Sequence, residues 1–182
     1  MIIDIQKEAD NQTRLWLAEN GKTLKNRILD QLSDISALDL LVLDFDKVEV
    51  LDTSYAREGF VKLITDIRIN SYHPQVLFKN VDEYVRQNLD MSFNYHKIFS
   101  LVISPLKKWN LIGKFSEQNL ETVKALIKRK EASAKQIAKD LSDIGLSTSI
   151  NRLNQIYDYC VCTRKELVQP TGGKEYLFKI AI

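Results

Sequence analysis

The sequence predicts a mixed α/β protein of 182 residues in two parts: an amino-terminal sheet carrying helices, then a group of helices followed by a β-hairpin. Up to residue 104, short apolar runs typical of buried strands alternate with segments whose apolar residues recur at helical spacing. From residue 116, three closely spaced helical patterns precede two strand-like runs. With 45% hydrophobic residues, a chain of this length is able to bury a substantial core.

The amino-terminal elements follow from local patterns. Strands are predicted at residues 2–6 and 13–18, and Asn20-Gly21 is expected to end the second. An apolar stripe then predicts a helix over residues 22–34. The run from Leu40 to Leu43 is continuously apolar, which is typical of a strand covered on both faces. The remaining elements predicted up to residue 104 are a helix from about Ser54 to near Asn70, a strand at 75–79, a helix starting at Asn80-Val81-Asp82 and a final strand at 99–103.

The triplet Asp52-Thr53-Ser54 lies between the buried strand and the next helix, where α/β sheets commonly present ligands. All three residues are good helix caps, and capping alone is one sufficient explanation for them. Alternatively, Ser54 or Thr53 is a phosphorylation site, because a helix amino end accommodates an anion while the surface charge changes. The sequence pattern leaves both interpretations open.

The run Val-Leu-Asp-Phe-Asp-Lys-Val-Glu-Val-Leu-Asp-Thr-Ser, residues 42–54, resembles the core signature of STAS domains, the fold of anti-sigma factor antagonists. The resemblance covers about residues 12–103 and implies a STAS-like mixed sheet with Ser54 at the phospho-acceptor position. It also implies a regulatory or kinase-like protein partner that docks on the loop of Asp52, Tyr55, Arg57 and Glu58. Tyr55 stands where the antagonists have glycine, and Ser-aromatic-Ala-x-Glu is similar to a less characterised STAS-like family sometimes found with anti-sigma-type kinase domains.

Four acidic residues, Asp44, Asp46, Glu49 and Asp52, cluster around the same strand end and raise a metal- or nucleotide-binding alternative for residues 44–52. Acidic loops are commonly only solvated, and no Gly-rich phosphate loop or nucleophile elbow accompanies this one. We therefore expect no cofactor, no metal and no enzymatic activity.

Composition indicates a cytoplasmic protein that does not enter a membrane. No apolar run approaches the roughly 20 residues that span a bilayer, and no export signal is recognisable at the amino end. Cys160 and Cys162 would share one face of an extended strand, which disfavours a mutual disulfide and indicates reduced thiols. Residues 1–109 carry 14 Lys and Arg against 16 Asp and Glu, a net charge of −2, whereas residues 110–182 carry 12 against 8, a net charge of +4. The basic carboxyl-terminal part is the one that favours an anionic partner.

Residues 105–113 form a connector between two predicted domains, 1–104 and 114–182. Its apolar residues Leu106, Trp109, Leu111 and Ile112 favour a packed segment over a flexible tether. Beyond it, Ser133-Ala-Lys-Gln136 is a capping box for the second helix, and Ile144-Gly145-Leu146 is the turn to the third, which is expected to begin at Ser147. Two strand-like runs, 160–169 and 175–180, are joined by a hairpin tip at 170–174.

Helix, helix, turn, helix and hairpin is the order of a winged helix. Residues 114–180 resemble bacterial winged helix-turn-helix regulators, most clearly in Ala-Lys-Gln-Ile-Ala-Lys-Asp-Leu (134–141) and Leu-Ser-Thr-Ser-Ile-Asn-Arg-Leu-Asn-Gln-Ile (146–156). The resemblance implies that the third helix enters the major groove of double-stranded DNA and that Lys174 lies at the wing tip. Ile150, Leu153, Ile156 and Tyr157 are predicted to face inward. The outward residues of that helix, predicted to contact DNA, are Ser147, Thr148, Ser149, Asn151, Arg152 and Gln155.

The sequence therefore predicts a non-enzymatic, DNA-binding transcriptional regulator with a STAS-like sensor or partner-docking domain. A rival prediction is a partner-switching protein of anti-sigma-antagonist type, because winged helices also serve as docking or dimerisation modules. A homodimer is compatible with either prediction.

Overall fold

The structure, a computed structural model, describes residues 1–33, 39–69, 74–142, 144–168 and 174–182. The protein is a mixed α/β protein, as predicted. The strands up to residue 113 are β1 Ile2–Asp4, β2 Arg14–Leu15, β3 Leu40–Asp44, β4 Val50–Leu51, β5 Gln75–Lys79, β6 Phe99–Ile103 and β7 Trp109–Gly113. The helices of this part are α1 Ile5–Glu8, α2 Ala18–Ser33, α3 Thr53–Ala56, α4 Lys62–Ile69 and α5 Glu83–Tyr95, with a π-helical turn at Arg57–Val61 joining α3 to α4.

The carboxyl-terminal part follows the predicted order of helices and hairpin. Its elements are α6 Glu117–Arg129, β8 Glu131–Ser133, α7 Ala134–Asp140, α8 Leu146–Asp158, β9 Thr163–Val168 and β10 Lys174–Lys179. The three strands form an antiparallel sheet in the order β8-β10-β9. Lys174 pairs with Val168 where the hairpin opens, and the rest of the predicted tip lies outside the described residues.

The main sheet has the strand order β1-β3-β5-β6-β7. The first four strands are parallel, and β7 runs antiparallel to β6 at the edge. Residues 99–103 were predicted to be the last strand of this sheet. That prediction is wrong, because β7 follows them in the chain and pairs with β6. Half of the predicted connector is the strand β7, so the chain enters its carboxyl-terminal part directly from the sheet.

Each face of the main sheet is covered by a different part of the chain. On one face, Leu41, Leu43, Val76 and Phe78 lie in a core with α2, α4 and α5. Because side chains alternate along a strand, Val42, Leu77, Phe99, Leu101 and Leu111 point to the other face. There they share a core with α6, α7, α8 and β10. The prediction that Leu40 to Leu43 is covered on both faces is confirmed, and the second cover is the carboxyl-terminal part.

Polar and aromatic contacts close the seam between the two parts. The buried side chain of Gln75 donates to the backbone oxygen of Ala181 at 3.0 Å and accepts from its backbone nitrogen at 2.7 Å. The backbone nitrogen of Val76 donates to the oxygen of Cys160 at 2.7 Å. The ring of Tyr159 lies 4.7 Å from that of Phe99. The carboxyl-terminal part is thus joined to the sheet by a packed and hydrogen-bonded interface.

The predicted lengths of the first two strands and the predicted role of Asn20-Gly21 are wrong. The first two strands are shorter than predicted, because Asp4 caps α1 and the second strand ends at Leu15. Asn20-Gly21 lies inside α2 instead of ending a strand. A Cβ atom on Gly21 would lie 2.7 Å from the backbone oxygen of Tyr55, so glycine permits the close approach of α2 to α3.

The two cysteines do not lie on one face of a strand as predicted, because β9 begins only at Thr163. Cys160 has a φ of +58° and lies in the core beneath α2, α4 and α5, whereas Cys162 lies in the core shared with the carboxyl-terminal part. Both thiols are free and buried. Burial raises the pKa of Cys160 to about 12 and raises that of Cys162 as well, which disfavours the reactive thiolate of either residue.

Candidate functional site

Asp52 connects the loop after β4 to two helices. Its Oδ1 accepts hydrogen bonds from the backbone nitrogen of Tyr55 and from the hydroxyl of Ser54, both at 2.7 Å. Its Oδ2 accepts from the backbone nitrogen of Leu17, immediately before α2, at 2.8 Å. Burial acts to raise the pKa of Asp52, but these hydrogen bonds outweigh it and the pKa is lowered. The capping interpretation of Asp52 is confirmed, and the carboxylate also holds the start of α2.

Ser54 and Thr53, the predicted phospho-acceptors, lie at the surface at the amino end of α3. Thr53 is exposed and Ser54 is half-buried. They line a groove of about 320 Å³ together with Arg57, Met91, Ser92, Tyr95 and His96. The hydroxyl of Ser92, which lines this groove, donates a hydrogen bond to the backbone oxygen of Thr53 at 3.1 Å. Thr53 is thus the more exposed of the two hydroxyls, and the Ser54 hydroxyl is engaged with Asp52.

Tyr55 is not part of a docking surface, because its side chain is 2% exposed. Its ring packs against Phe60 in the core, and burial raises the pKa of its hydroxyl. Arg57 is exposed and Glu58 is half-buried between Arg57 and Lys62. Of the four predicted docking residues, only Arg57 is exposed, and its guanidinium pairs with the Glu58 carboxylate at 3.0 Å. The exposed apolar residues Met91 and Tyr95, which the sequence analysis missed, belong to the same surface.

The acidic loop makes ordinary structural contacts. Asp44 lies 3.5 Å from the Lys79 ammonium and accepts from the Asn80 side chain at 2.7 Å. Glu49 accepts from the hydroxyl of Thr13 at 3.3 Å. Among the residues that the structure describes, no three His, Cys, Asp or Glu side chains are grouped so as to hold a metal ion.

The first two turns of α8 have one exposed face. Leu146, Ser147, Thr148, Ile150 and Asn151 are all exposed. Gly145 precedes the helix, and the second half of α8 is anchored by the buried side chains of Leu153 and Ile156. The amino-terminal half of α8 therefore has one solvent-exposed face.

Ser149 is a correction to the predicted DNA-contacting set. It is 0% exposed, and its hydroxyl donates to the backbone oxygen of Ala134 at 2.8 Å. Ser149, Leu153 and Ile156 follow one another at helical spacing and form the inner stripe of α8. Ile150, predicted to face inward, is instead 39% exposed.

Three other predicted contact residues are engaged within the chain. The Arg152 side chain is only 19% exposed, and its guanidinium lies 3.8 Å from the Glu121 carboxylate of α6. Gln155 accepts from the Asn119 side chain of α6 at 2.9 Å. Lys174 is exposed at the start of β10 and lies 3.1 Å from the Glu166 carboxylate, which raises its pKa. Ser147, Thr148, Asn151 and Gln155 are the predicted residues of α8 that are exposed, and of these Gln155 has its side-chain oxygen engaged with α6.

A groove of about 390 Å³ runs between α8, the start of α7 and β10. Lys135 and Lys174 line it, with the exposed apolar residues Leu146 and Ile150. Arg164 ties the hairpin to α8, because its guanidinium lies between the rings of Tyr157 and Tyr176 at 4.3 and 4.5 Å and donates to Asn154 at 3.0 Å. The sequence analysis missed Lys135. Its position within the capping box of Ser133 and Gln136 was the sequence signal that could have placed it at the start of α7.

A scan against protein-family models found no match, and a search of the curated proteins found no significant similarity. No helix in the described part of the chain is both long and apolar enough to cross a membrane.

Proposed function

We propose that the protein is a non-enzymatic, cytoplasmic, DNA-binding transcriptional regulator. Residues 114–182 would form a winged helix-turn-helix unit in which α8 enters the major groove and the β9-β10 hairpin is the wing. Residues 1–104 would form a STAS-like sensor or partner-docking domain. The observation that carries the proposal is the exposure of the first two turns of α8, since recognition helices contact base edges through their amino-terminal residues.

Charge supports the same surface. The carboxyl-terminal part carries the positive excess of the chain. Lys135 at the start of α7 and Lys174 on β10 flank α8 and are exposed. Lysines in these positions would meet the phosphates on either side of a groove, while Ser147 and Asn151 offer hydrogen-bonding groups to base edges.

The test first selects the duplexes that the full chain prefers from a labelled random pool. Fluorescence anisotropy then measures their affinity across a salt series. Asn151→Ala should weaken the preferred duplex by about 1–3 kcal/mol and relax preference at one base pair. Lys135→Ala should weaken all duplexes alike and lower the salt slope by about one. Lys22→Ala, an exposed lysine on α2, is the matched control and should change neither quantity. If the wild type binds no duplex at low salt, the proposal is wrong.

The groove beside Thr53 and Ser54 favours a second candidate, a partner-switching protein whose winged helix binds protein. Met91 and Tyr95 are 61% and 83% exposed there, and Met and aromatic residues are enriched in protein interfaces. Arg57 adds an exposed cation beside the helix amino end. Failure of DNA binding at low salt, with capture of a kinase-like partner that loses affinity when Tyr95 is changed to serine, would promote this candidate over the first.

A further inference from the structure

Two large apolar side chains are exposed on the first two turns of α8. Leu146 and Ile150 are 44% and 39% exposed and lie one helical turn apart. Both line the groove between α8, α7 and β10. Ser147 and Asn151, each next in sequence to one of them, are exposed and polar. The exposed face of the first two turns of α8 thus presents apolar groups and hydrogen-bonding groups side by side.

The net charge of +4 on the carboxyl-terminal part favours a polyanion over a protein surface as the partner of this groove. At the groove itself, Lys135 and Lys174 lie with two carboxylates, Glu175 of the lining and Glu166, which is 3.1 Å from the Lys174 ammonium. Lysine is depleted in protein interfaces, whereas it is a common phosphate contact in complexes with DNA. In the major groove of DNA, the apolar group that a base edge offers is the C5-methyl of thymine.

We infer that Leu146 and Ile150 read thymine C5-methyl groups, so that the preferred DNA site has A·T pairs beneath the first two turns of α8. This inference rests on the proposed function and specifies the sequence class that the surface recognises. Lys135 and Lys174 would hold the phosphates on the two sides of those pairs. Asn151 would make its hydrogen bonds on a neighbouring base.

The test uses the full chain and the duplex enriched from a random pool. Each thymine is replaced in turn by deoxyuridine, which removes the methyl group and leaves the base pair intact. Affinity should fall about fourfold for each methyl that is buried against the protein, at one or two thymines, and stay constant at the others. Ile150→Ser should abolish the effect at one thymine in a double-mutant cycle, and Leu146→Ser should do so at the other. Leu106→Ser, a 79% exposed apolar residue before β7, is the matched control and should leave every deoxyuridine effect in place.

The outcomes separate this inference from the function on which it rests. Wild-type binding that is indifferent to every deoxyuridine, or deoxyuridine effects that add to those of Ile150→Ser and Leu146→Ser, would overturn the inference and leave DNA binding standing. If Ile150→Ser and Leu146→Ser leave DNA affinity unchanged but dissociate a dimer in sedimentation, the groove is a self-docking surface and the inference is wrong. Absence of any DNA binding at low salt would overturn the proposed function and the inference together.

Discussion

Replacing Asp52 with alanine should lower the free energy of unfolding by about 2–4 kcal/mol, more than the loss of an ordinary helix cap. The cap to the Tyr55 backbone nitrogen accounts for about 1 kcal/mol. The Leu17 backbone nitrogen and the Ser54 hydroxyl lose the same carboxylate, at about 0.5–1.5 kcal/mol each, and the lower figure applies to Leu17 because its bond is exposed to water. The larger loss would follow from one carboxylate holding the starts of both α2 and α3.

Asp82 provides a matched control in the same fold. It caps α5 by accepting from the backbone nitrogen of Val85 at 2.8 Å and is half-buried like Asp52. Asp82→Ala should therefore lower the unfolding free energy by about 1 kcal/mol. Urea denaturation followed by circular dichroism measures both variants, and Asp52→Asn should lie between them because its side-chain oxygen still accepts from Tyr55.

The pH dependence of this effect has a defined sign. The pKa of folded Asp52 is lowered, so its contribution is fully present above the unfolded value of about 3.9 and is lost as the pH falls through the folded value. The difference between wild type and Asp52→Asn should shrink over that acidic range. An Asp52→Ala variant that is destabilised no more than Asp82→Ala, or a difference that stays constant as the pH falls, would refute the reasoning.

Two further predictions concern the sheet. Phe99→Ala should destabilise the protein by about 3–5 kcal/mol, because Phe99 is fully buried in the core that the sheet shares with the carboxyl-terminal part. The midpoint of a single cooperative denaturation transition should fall. Separate transitions in calorimetry would show that the two parts do not share a core. Gly113→Ala should cost at least about 1–3 kcal/mol, because Gly113 has a φ of +89° and an added Cβ would lie 2.2 Å from the backbone oxygen of Ile98. Thermal denaturation measures this loss against Gly145→Ala, where nothing lies closer than 3.8 Å, and equal melting temperatures for the two variants would contradict it.

Local patterns in the sequence were sufficient for the order and type of most elements. The apolar run before Asp44 predicted a strand buried on both faces, and Ser133 with Gln136 predicted the start of α7. These signals are readable because strand alternation, helical spacing and caps depend on residues close together in the chain. For the candidate site residues, the structure bears on exposure alone: Thr53 and Asn151 are exposed as predicted, whereas Tyr55 and Ser149 are buried, and the roles predicted for them stay predictions.

Only the tertiary structure decided what covers each buried face and which side of a helix is free. Periodicity predicts that a residue such as Val42 is buried but not that its cover is the carboxyl-terminal part, since that partner is about 70 or more residues away in the chain. Gly21 was expected to end a strand. It lies within α2, where the absence of a side chain permits the close contact with α3. On α8, the polar Ser149 is inside because Ala134 offers an acceptor, and the apolar Ile150 is outside because no neighbouring element fully covers it. Burial is set by neighbours in space, which a local pattern does not specify.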